Sequence, residues 1–560
     1  MGWIDWFVLI GSIGFIVIYG IYKSKKQADL SDYLLGNQDT KWWKVGFAVM
    51  ATQASAVTFI STTGQGFSDG MQFVQFYFGL PLAMIVICIT FIPKFYQLKV
   101  YTAYEYLENR FDLKTRTFAA IIFLIQRGIA AGITLYAPSI ILSSLFDWNL
   151  QWTHVISGIM VIVYTVSGGA KAVTQTQLQQ LSVILIGMVF IFVYMIYSLP
   201  PTVQFSNAME IAGWEGRTNA LSFKLDFNNR YNFWAGIAGG FFLALAYFGT
   251  DQSQVQRYIS GKNIQESRMG LILNGILKIP MQIFILLCGV LLFAVFQFQK
   301  TPIHFNDKVT QELSTNHKEQ YAKWLIYNDS IHQISGQSNL NPSDQNIKQQ
   351  LHQLNQNRKV LQQEVRNYVK INLPKQESND RDYVFLYYIL HYLPQGFIGL
   401  MIAVILCAAM SSISAEINAL SGTTVVDIAL RLFPFPDLRN RPIFWSKCFA
   451  LFWGLVAIAF ALYANLFENL IQFINIIGSL FYGTILGIFL TGFYLKKIQG
   501  GAVFYAALIA QCLTLFLFKY TDLGFLWFNA IACLTVMSLA IIFQMLLPIG
   551  AKKNKPETIS

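Results

Sequence analysis

The chain has 560 residues, 54% of them hydrophobic and 12% charged, with a mean hydropathy of +0.46. A soluble globular protein carries about 25% charged residues, so an ordinary soluble enzyme is excluded. The net charge of +11 would point to nucleic acid in a soluble domain, but its distribution along the chain assigns it another role.

Apolar runs of around 20 residues, each long enough to cross a hydrocarbon core of roughly 30 Å, recur from end to end. They predict an all-α polytopic membrane protein with about 13 transmembrane helices, near residues 4–22, 45–69, 73–97, 117–145, 152–168, 176–198, 232–256, 267–297, 395–425, 443–464, 468–495, 501–519 and 525–547. The first run lacks a basic leader and a small-residue cleavage motif, and Lys23, Lys25 and Lys26 follow it. It reads as a retained span rather than a signal peptide. All six cysteines fall inside apolar runs, so the loops hold no disulfide framework and leave the redox compartment open.

The basic residues sort by side. The loops reached after each odd-numbered span hold 23 Lys and Arg, whereas the short loops opposite hold four: Arg217, Lys224, Arg230 and Lys519. The positive-inside rule makes the crowded side cytoplasmic, with the N-terminus outside and the C-terminal tail, 549–560, inside a plasma or inner membrane. The charge is therefore mainly an orientation signal, and no nucleic-acid partner is expected.

The second span crowds Thr52, Gln53, Ser55, Thr58, Ser61, Thr62 and Thr63 between Gly46 and Gly66. A span that only anchors has no need of such residues, because a helix satisfies its own backbone. The seventh span repeats the pattern, with Gly236, Gly239, Gly240 and Gly249 preceding Thr250 and Asp251. Interrupted segments at corresponding places in two halves point to a transporter with discontinuous helices around a midplane site; either one alone would equally suit close helix packing. In the ninth span Ser411 and Ser412 follow Ala408 by one turn on nearly the same face. Two hydroxyls and nearby carbonyls suit a hard cation such as Na⁺, although such serines commonly bond back to their own helix. Arg127 and Lys278 lie deep in apolar runs and should face the bundle or a wet cavity. With no catalytic spacing and six scattered histidines, no enzyme site is visible.

Residues 299–382 form the only long hydrophilic stretch. Ile347, Leu351, Leu354, Leu361, Val365 and Tyr368 recur at helical spacing, predicting an amphipathic helix that packs on an earlier one bearing Val309 and Leu313. A self-packed cap is favoured over a docking site for an outer-face partner.

Three stretches together resemble the sodium:solute symporter family: Asp251-Gln-Ser-Gln-Val-Gln-Arg-Tyr258, Ala408 to Asp427 with its Ser-Gly-Thr-Thr-Val-Val-Asp ending, and Gly478-Ser-Leu-Phe-Tyr-Gly-Thr-Ile-Leu-Gly487. The resemblance covers the chain from the first span to about residue 500. It implies a LeuT-type 5+5 inverted repeat with one leading and two trailing helices. The leading helix falls in 1–30, the repeats in 40–200 and 230–500, with the second repeat carrying the insertion, and the trailing pair in 501–548. It implies Na⁺ as coupling ion, held by the carbonyls of Ala51, Ala54 and Ala408 and the hydroxyls of Ser411 and Ser412. Tyr247 would be the inner-gate aromatic, and Gln53 and Ser55 would line the solute pocket. Thr58 and Lys278 complete the expected substrate-binding set.

The chain departs from the family pattern in two places. A Trp-Thr-Asp motif is replaced by Gln175-Thr176-Gln177, and the sugar-contacting Gln of the sugar branch by Ile474. Gln53-Ala-Ser-Ala-Val57 and Tyr136-Ala-Pro-Ser139 are closer to the iodide, multivitamin and monocarboxylate branch, which suits an anionic solute. The expected activity is uptake of a small organic solute or anion driven by inward Na⁺ movement; a solute-binding sensor and a sodium-independent channel are the rivals.

Overall fold

The computed structural model describes residues 1–23, 40–98, 100–340, 344–373, 376–433, 436–463 and 469–546; the side chains of 16–23, 167–176, 178 and 338–340 lie outside that description. Lys25 and Lys26, the tail 549–560 and the side chains of Lys171, Gln175 and Thr176 therefore fall outside it.

Among the described residues the chain is helical throughout the expected spans. Nine helices are long and apolar enough to cross a membrane, and Trp3–Phe15, Leu150–Val166 and Ala235–Thr250 are shorter apolar helices. One of the nine, Ala56–Leu98, passes through a tight 3₁₀ stretch at Gly70–Tyr77 and takes in most of the second expected span and all of the third.

We label α1 Trp3–Lys23, α2 Trp42–Gln53, α3 Ala56–Asp69, α4 80–98, α5 Leu113–Thr134, α6 Tyr136–Phe146, α7 Leu150–Tyr197, α8 Phe205–Trp214, α9 Gly240–Thr250, α10 Gln252–Ile259 and α11 Ile264–Phe298. The insertion contributes α12 Asp307–Asn316, α13 Lys318–Leu340 and α14 Gln345–Asn372, followed by α15 Val384–Tyr392. The second half closes with α16 Phe397–Thr423, α17 Pro442–Tyr463, α18 Leu470–Tyr494, α19 Gly500–Tyr520 and α20 Leu526–Leu546.

Between 168 and 176 the sequence predicts a gap separating two spans, whereas the backbone stays helical and α7 runs for 48 residues. A straight helix of that length would measure about 72 Å. Its two ends nevertheless lie on one face. Lys308 bonds the carbonyls of Asp147 and Trp148, just before α7, and Gln299 bonds the carbonyl of Ser198, just after it. Gln299 and Lys308 are nine residue steps apart and their backbones reach at most about 33 Å, so the run folds back on itself and its two limbs serve as the two expected spans.

Contacts gather the loops into two sets. On one face Tyr96 donates to the Gly261 carbonyl at 2.7 Å, Thr40 bridges to Gly261, Arg110 donates to the carbonyls of Leu495, Lys496 and Ile498, and Arg431 meets Glu108 at 3.4 Å. On the other, the Met71 N–H reaches the Arg217 carbonyl at 2.8 Å and the Gly524 N–H the Phe227 carbonyl at 2.8 Å. The second face also carries the insertion.

Glycines set the closest approach between α3 and α11. A Cβ at Gly66 would lie 2.4 Å from the Leu286 carbonyl oxygen, and one at Gly289 2.1 Å from that of Thr63. Only the missing side chains let these backbones touch. Away from the core, Phe452, Leu455, Phe516 and Leu534 are exposed, as suits residues facing lipid. In the insertion, Val309, Leu313, Trp324, Leu361, Val365 and Val369 bury one another, while Leu351 and Ile331 pack with Ile211 of α8. The apolar stripe of α14 is thus covered from within the chain, and α13, which carries Trp324, supplies a wall that the sequence pattern did not announce.

Candidate functional site

The second span breaks where its polar residues cluster. The α2 ladder closes with the Ala54 N–H on the Met50 carbonyl at 2.7 Å, and Ser55 then turns extended, with ψ 175°, to start α3. The ladder therefore has no successor for the Ala51 carbonyl, and the N-terminal N–H groups of α3 have no side-chain cap from Ser55. Thr58 steadies the break by donating to the Gln53 carbonyl at 2.9 Å. The seventh span breaks at Asp251, whose carboxylate caps α10 by accepting from the Ser253 N–H at 2.9 Å and its hydroxyl at 2.7 Å. Both interruptions fall where the sequence placed them, and each leaves a helix end inside the bundle.

A cavity of about 80 Å³ opens at the first break. Thr52, Gln53, Ser55, Thr58, Tyr247 and Lys278 line it, with Arg127, Glu416, Ile474 and Tyr482. All five expected substrate-binding residues are thus brought to one space. Lys278, on α11, is 1% exposed and has no carboxylate within ion-pair distance among the described residues; its ammonium lies 5.9 Å from the Tyr77 ring centre. Arg127 differs. It forms a buried ion pair with Asp251, a second with Glu416 at 3.1 Å, and donates to the Tyr482 hydroxyl at 2.7 Å. Tyr482 in turn donates to Asp251 at 2.8 Å. Tyr247 stands beside this cluster, its ring 5.5 Å from the Arg127 guanidinium and its hydroxyl accepting from Gln254 at 2.7 Å.

The sequence reading missed Glu416 and Tyr482. Glu416 lies one turn beyond Ser412 in an otherwise apolar span, and that solitary acid was the available signal. Tyr482 had none.

On the far side of α2, Ala408, Ser411 and Ser412 are buried on α16, which packs against both α2 and α3. Ser411 Oγ lies 3.1 Å from the Ala408 carbonyl and donates to Gln180 Oε1 at 2.9 Å. One turn earlier on α7, Gln177 Oε1 lies 3.5 Å from the Thr52 hydroxyl. The two glutamines therefore link the last turn of α2 to the serine pair. Among the described residues the Ser412 hydroxyl is buried with no hydrogen-bond partner, a costly state for a polar atom unless something else engages it. An oxygen without a partner, a hydroxyl beside a carbonyl, and two amide oxygens fit a monovalent cation that needs no carboxylate. Gln177, standing where the family has an acid, is positioned against this set.

A bundle in which two interrupted helices enclose a polar pocket deep in the apolar zone is that of a secondary transporter. Residues 33–319 and 366–510 match the sodium:solute symporter family. The chain is 27% identical over 496 residues to a putative sodium-dependent multivitamin transporter of Drosophila melanogaster, covering 88% of this chain and 70% of that one. It is 26% identical over 487 residues to sodium-coupled monocarboxylate transporter 2 of Bos taurus, covering 87% and 66%. The chain thus spans about two thirds of the length of these relatives. The sodium/sialic acid symporter NanT of Aliivibrio fischeri is 23% identical over 549 residues, covering 96% of this chain and 92% of its own. The solved structure of a Na⁺-coupled sialic acid symporter in a substrate-bound outward-open state superposes with a TM-score of 0.75 at 23% identity, covering 98% of both chains. The chain belongs to the sodium:solute symporter family and has its LeuT-type, all-helical membrane fold. It is a sodium-coupled solute transporter and not an enzyme.

Proposed function

We propose that the chain takes up a small organic anion, carboxylate-bearing rather than sugar-like, against its gradient by moving Na⁺ inward. The observation that carries this reading is Lys278: a buried ammonium without a carboxylate partner, lining the cavity into which α3 points its N-terminus. A helix start and a free cation both favour negative charge, whereas Arg127 is already matched by Asp251 and Glu416. Ile474 supplies no hydrogen bond where a sugar would need one.

In the proposed cycle Na⁺ lies among the carbonyls of Ala51, Ala54 and Ala408 and the hydroxyls of Ser411 and Ser412. This holds the break of α2 and α3 against α16 and fixes Gln53, Ser55 and Thr58 around the solute. Tyr247 closes the pocket on the side away from the insertion. Rocking of one repeat against the other then exposes ion and solute to the opposite face. We assign the Lys- and Arg-rich loops to the cytoplasm, which puts the N-terminus and the insertion outside. One Na⁺ carried with one monocarboxylate moves no net charge, so the Na⁺ concentration gradient drives accumulation, each tenfold gradient supplying about 1.4 kcal/mol; a second Na⁺ would add roughly 2.3 kcal/mol per 100 mV.

Proteoliposomes separate this reading from the rivals. A symporter concentrates a radiolabelled monocarboxylate above its bath level when Na⁺ is present outside only; a channel equilibrates it without sodium; a sensor binds it without flux. Either of the last two results would sink the proposal.

A further inference from the structure

The face bearing the insertion holds a second, larger cavity of about 670 Å³. Its walls are the end of α3, the loop after α8 and helix α14. Three carboxylates in the lining are already engaged: Asp380 with Arg366 at 2.8 Å, Asp69 with Arg381 at 3.2 Å, and Glu215 with His352 at 3.4 Å and the Asn355 amide at 3.3 Å. Two lining arginines, Arg217 and Arg358, have no carboxylate within ion-pair distance among the described residues.

Arg358 is 6% exposed. One of its terminal nitrogens donates to Asn355 Oδ1 at 3.0 Å, while Nη1 is buried with no partner among the described residues. The guanidinium is backed by the Trp324 ring at 5.9 Å. Arg217 rests its guanidinium on the Phe293 ring at 3.9 Å, and its Nε has no partner. Burial lowers the pKa of both to about 10, and Arg217 further opposes the charge on Arg358. Both stay charged at neutral pH. A buried guanidinium with an unused fork is a strong site for a carboxylate.

Placement ties this cavity to the transport path. Phe67, Ser68 and Asp69 at the end of α3 line it, while Ser55 and Thr58 near the start of α3 line the central pocket. Thr58 and Phe67, the lining residues nearest one another along α3, are nine residues apart, about 14 Å. Between the two spaces lies the first turn of α18, with Gln472 facing the larger cavity and Ile471 and Ile474 the central one. That turn is held by the Ile471 N–H on the Ser61 hydroxyl and the Leu470 N–H on Asp382, each at 3.0 Å.

We propose that this cavity is an anion-binding antechamber, in which Arg358 and Arg217 hold the carboxylate of a small organic acid before it passes the α18 turn to the central pocket. The choice of a carboxylate among anions rests on the proposed cargo. The site itself needs no sodium, since no residue of the ion site lines it.

The test uses the full chain in phosphatidylcholine nanodiscs, in sodium-free potassium HEPES buffer, with calorimetric titration of potassium pyruvate, neutral pyruvamide and potassium chloride. Saturable pyruvate binding is expected, with none for pyruvamide. Arg358→Gln should weaken it at least tenfold, and Arg358→Lys, which keeps the charge but loses the planar fork, should weaken it by less than Arg358→Gln does. Absence of pyruvate binding, equal binding by Arg358→Gln, or chloride binding without pyruvate binding would each overturn the proposal. Sodium-driven uptake without sodium-free binding removes only the antechamber; sodium-free binding without sodium-driven uptake removes only the transport reading.

Discussion

Arg127 on α5 and Asp251, the residue at which the seventh span breaks, form a buried ion pair across 124 positions of sequence. Glu416 and Tyr482 complete the ring around the guanidinium. The cluster therefore joins the break in one repeat to α16, the helix that carries the serine pair, and to α18, which separates the two cavities.

That geometry predicts a non-additive stability pattern. Removing Arg127 leaves the buried carboxylates of Asp251 and Glu416 without their cation, at a cost of about 3–5 kcal/mol, so Arg127→Gln should lower the thermal midpoint markedly and Asp251→Asn, in which Glu416 still pairs the guanidinium, by less. The triple variant Arg127→Met, Asp251→Leu and Glu416→Gln, which leaves none of the three charges behind, should recover a large part of the loss. Differential scanning fluorimetry of purified protein checks this; additive losses would show that the pair is not coupled.

Lys278 should behave in the opposite sense. As an uncompensated buried cation it costs stability, so Lys278→Met should raise the thermal midpoint while cutting carboxylate uptake at least tenfold, about 1.4 kcal/mol or more. A variant that kept its uptake, measured as kcat/KM in proteoliposomes, would remove Lys278 from the solute site.

The insertion supplies a pH prediction. Burial tends to raise the Asp380 carboxyl, but Arg366 and His304, with the Phe305 N–H, hold it below its ordinary value. A depressed folded-state pKa gives stability that is present above the unfolded carboxylate value of about 3.9 and is lost as pH falls through the folded value. Relative to the intrinsic rate at each pH, hydrogen exchange of α12 and α14 should rise modestly as pH falls below the ordinary histidine value, where His304, lowered by burial, is forced to charge, and accelerate sharply in stronger acid as Asp380 protonates. Arg366→Gln should bring that acceleration to higher pH, because the depressing charge is gone.

Much of this was legible in the sequence, for definite reasons. Glycines and hydroxyls crowded into apolar runs mark where a helix cannot pack as a plain anchor, and both breaks, at Ala54–Ser55 and Asp251, lie inside the stretches so marked. The serine pair stands out by its helix face alone, and the family resemblance adds Tyr247 and the carbonyls of Ala51 and Ala54. Hidden from it was whatever depends on which helices become neighbours. A helical register shows the face on which Glu416 sits but not that Arg127 faces it from α5. Arg217 and Arg358 lie 141 positions apart in segments that read as ordinary polar loop and amphipathic helix. Only the packing of α14 over the end of α3 puts them in one space.

The central claim is that a monovalent ion held between the break of α2 and the serines of α16 organises the bundle, and it can be tested without knowing the solute. Thermal unfolding of the purified chain at constant ionic strength, in NaCl and in KCl, reads it directly. The account predicts a sodium-specific rise in midpoint, growing with Na⁺ concentration as expected for a ligand of the folded state. In Ser412→Ala, loss of one oxygen ligand, worth about 1.5 kcal/mol, should shift that dependence to roughly tenfold higher Na⁺. Equal midpoints in the two salts, or a sodium response unchanged by Ser412→Ala, would contradict it.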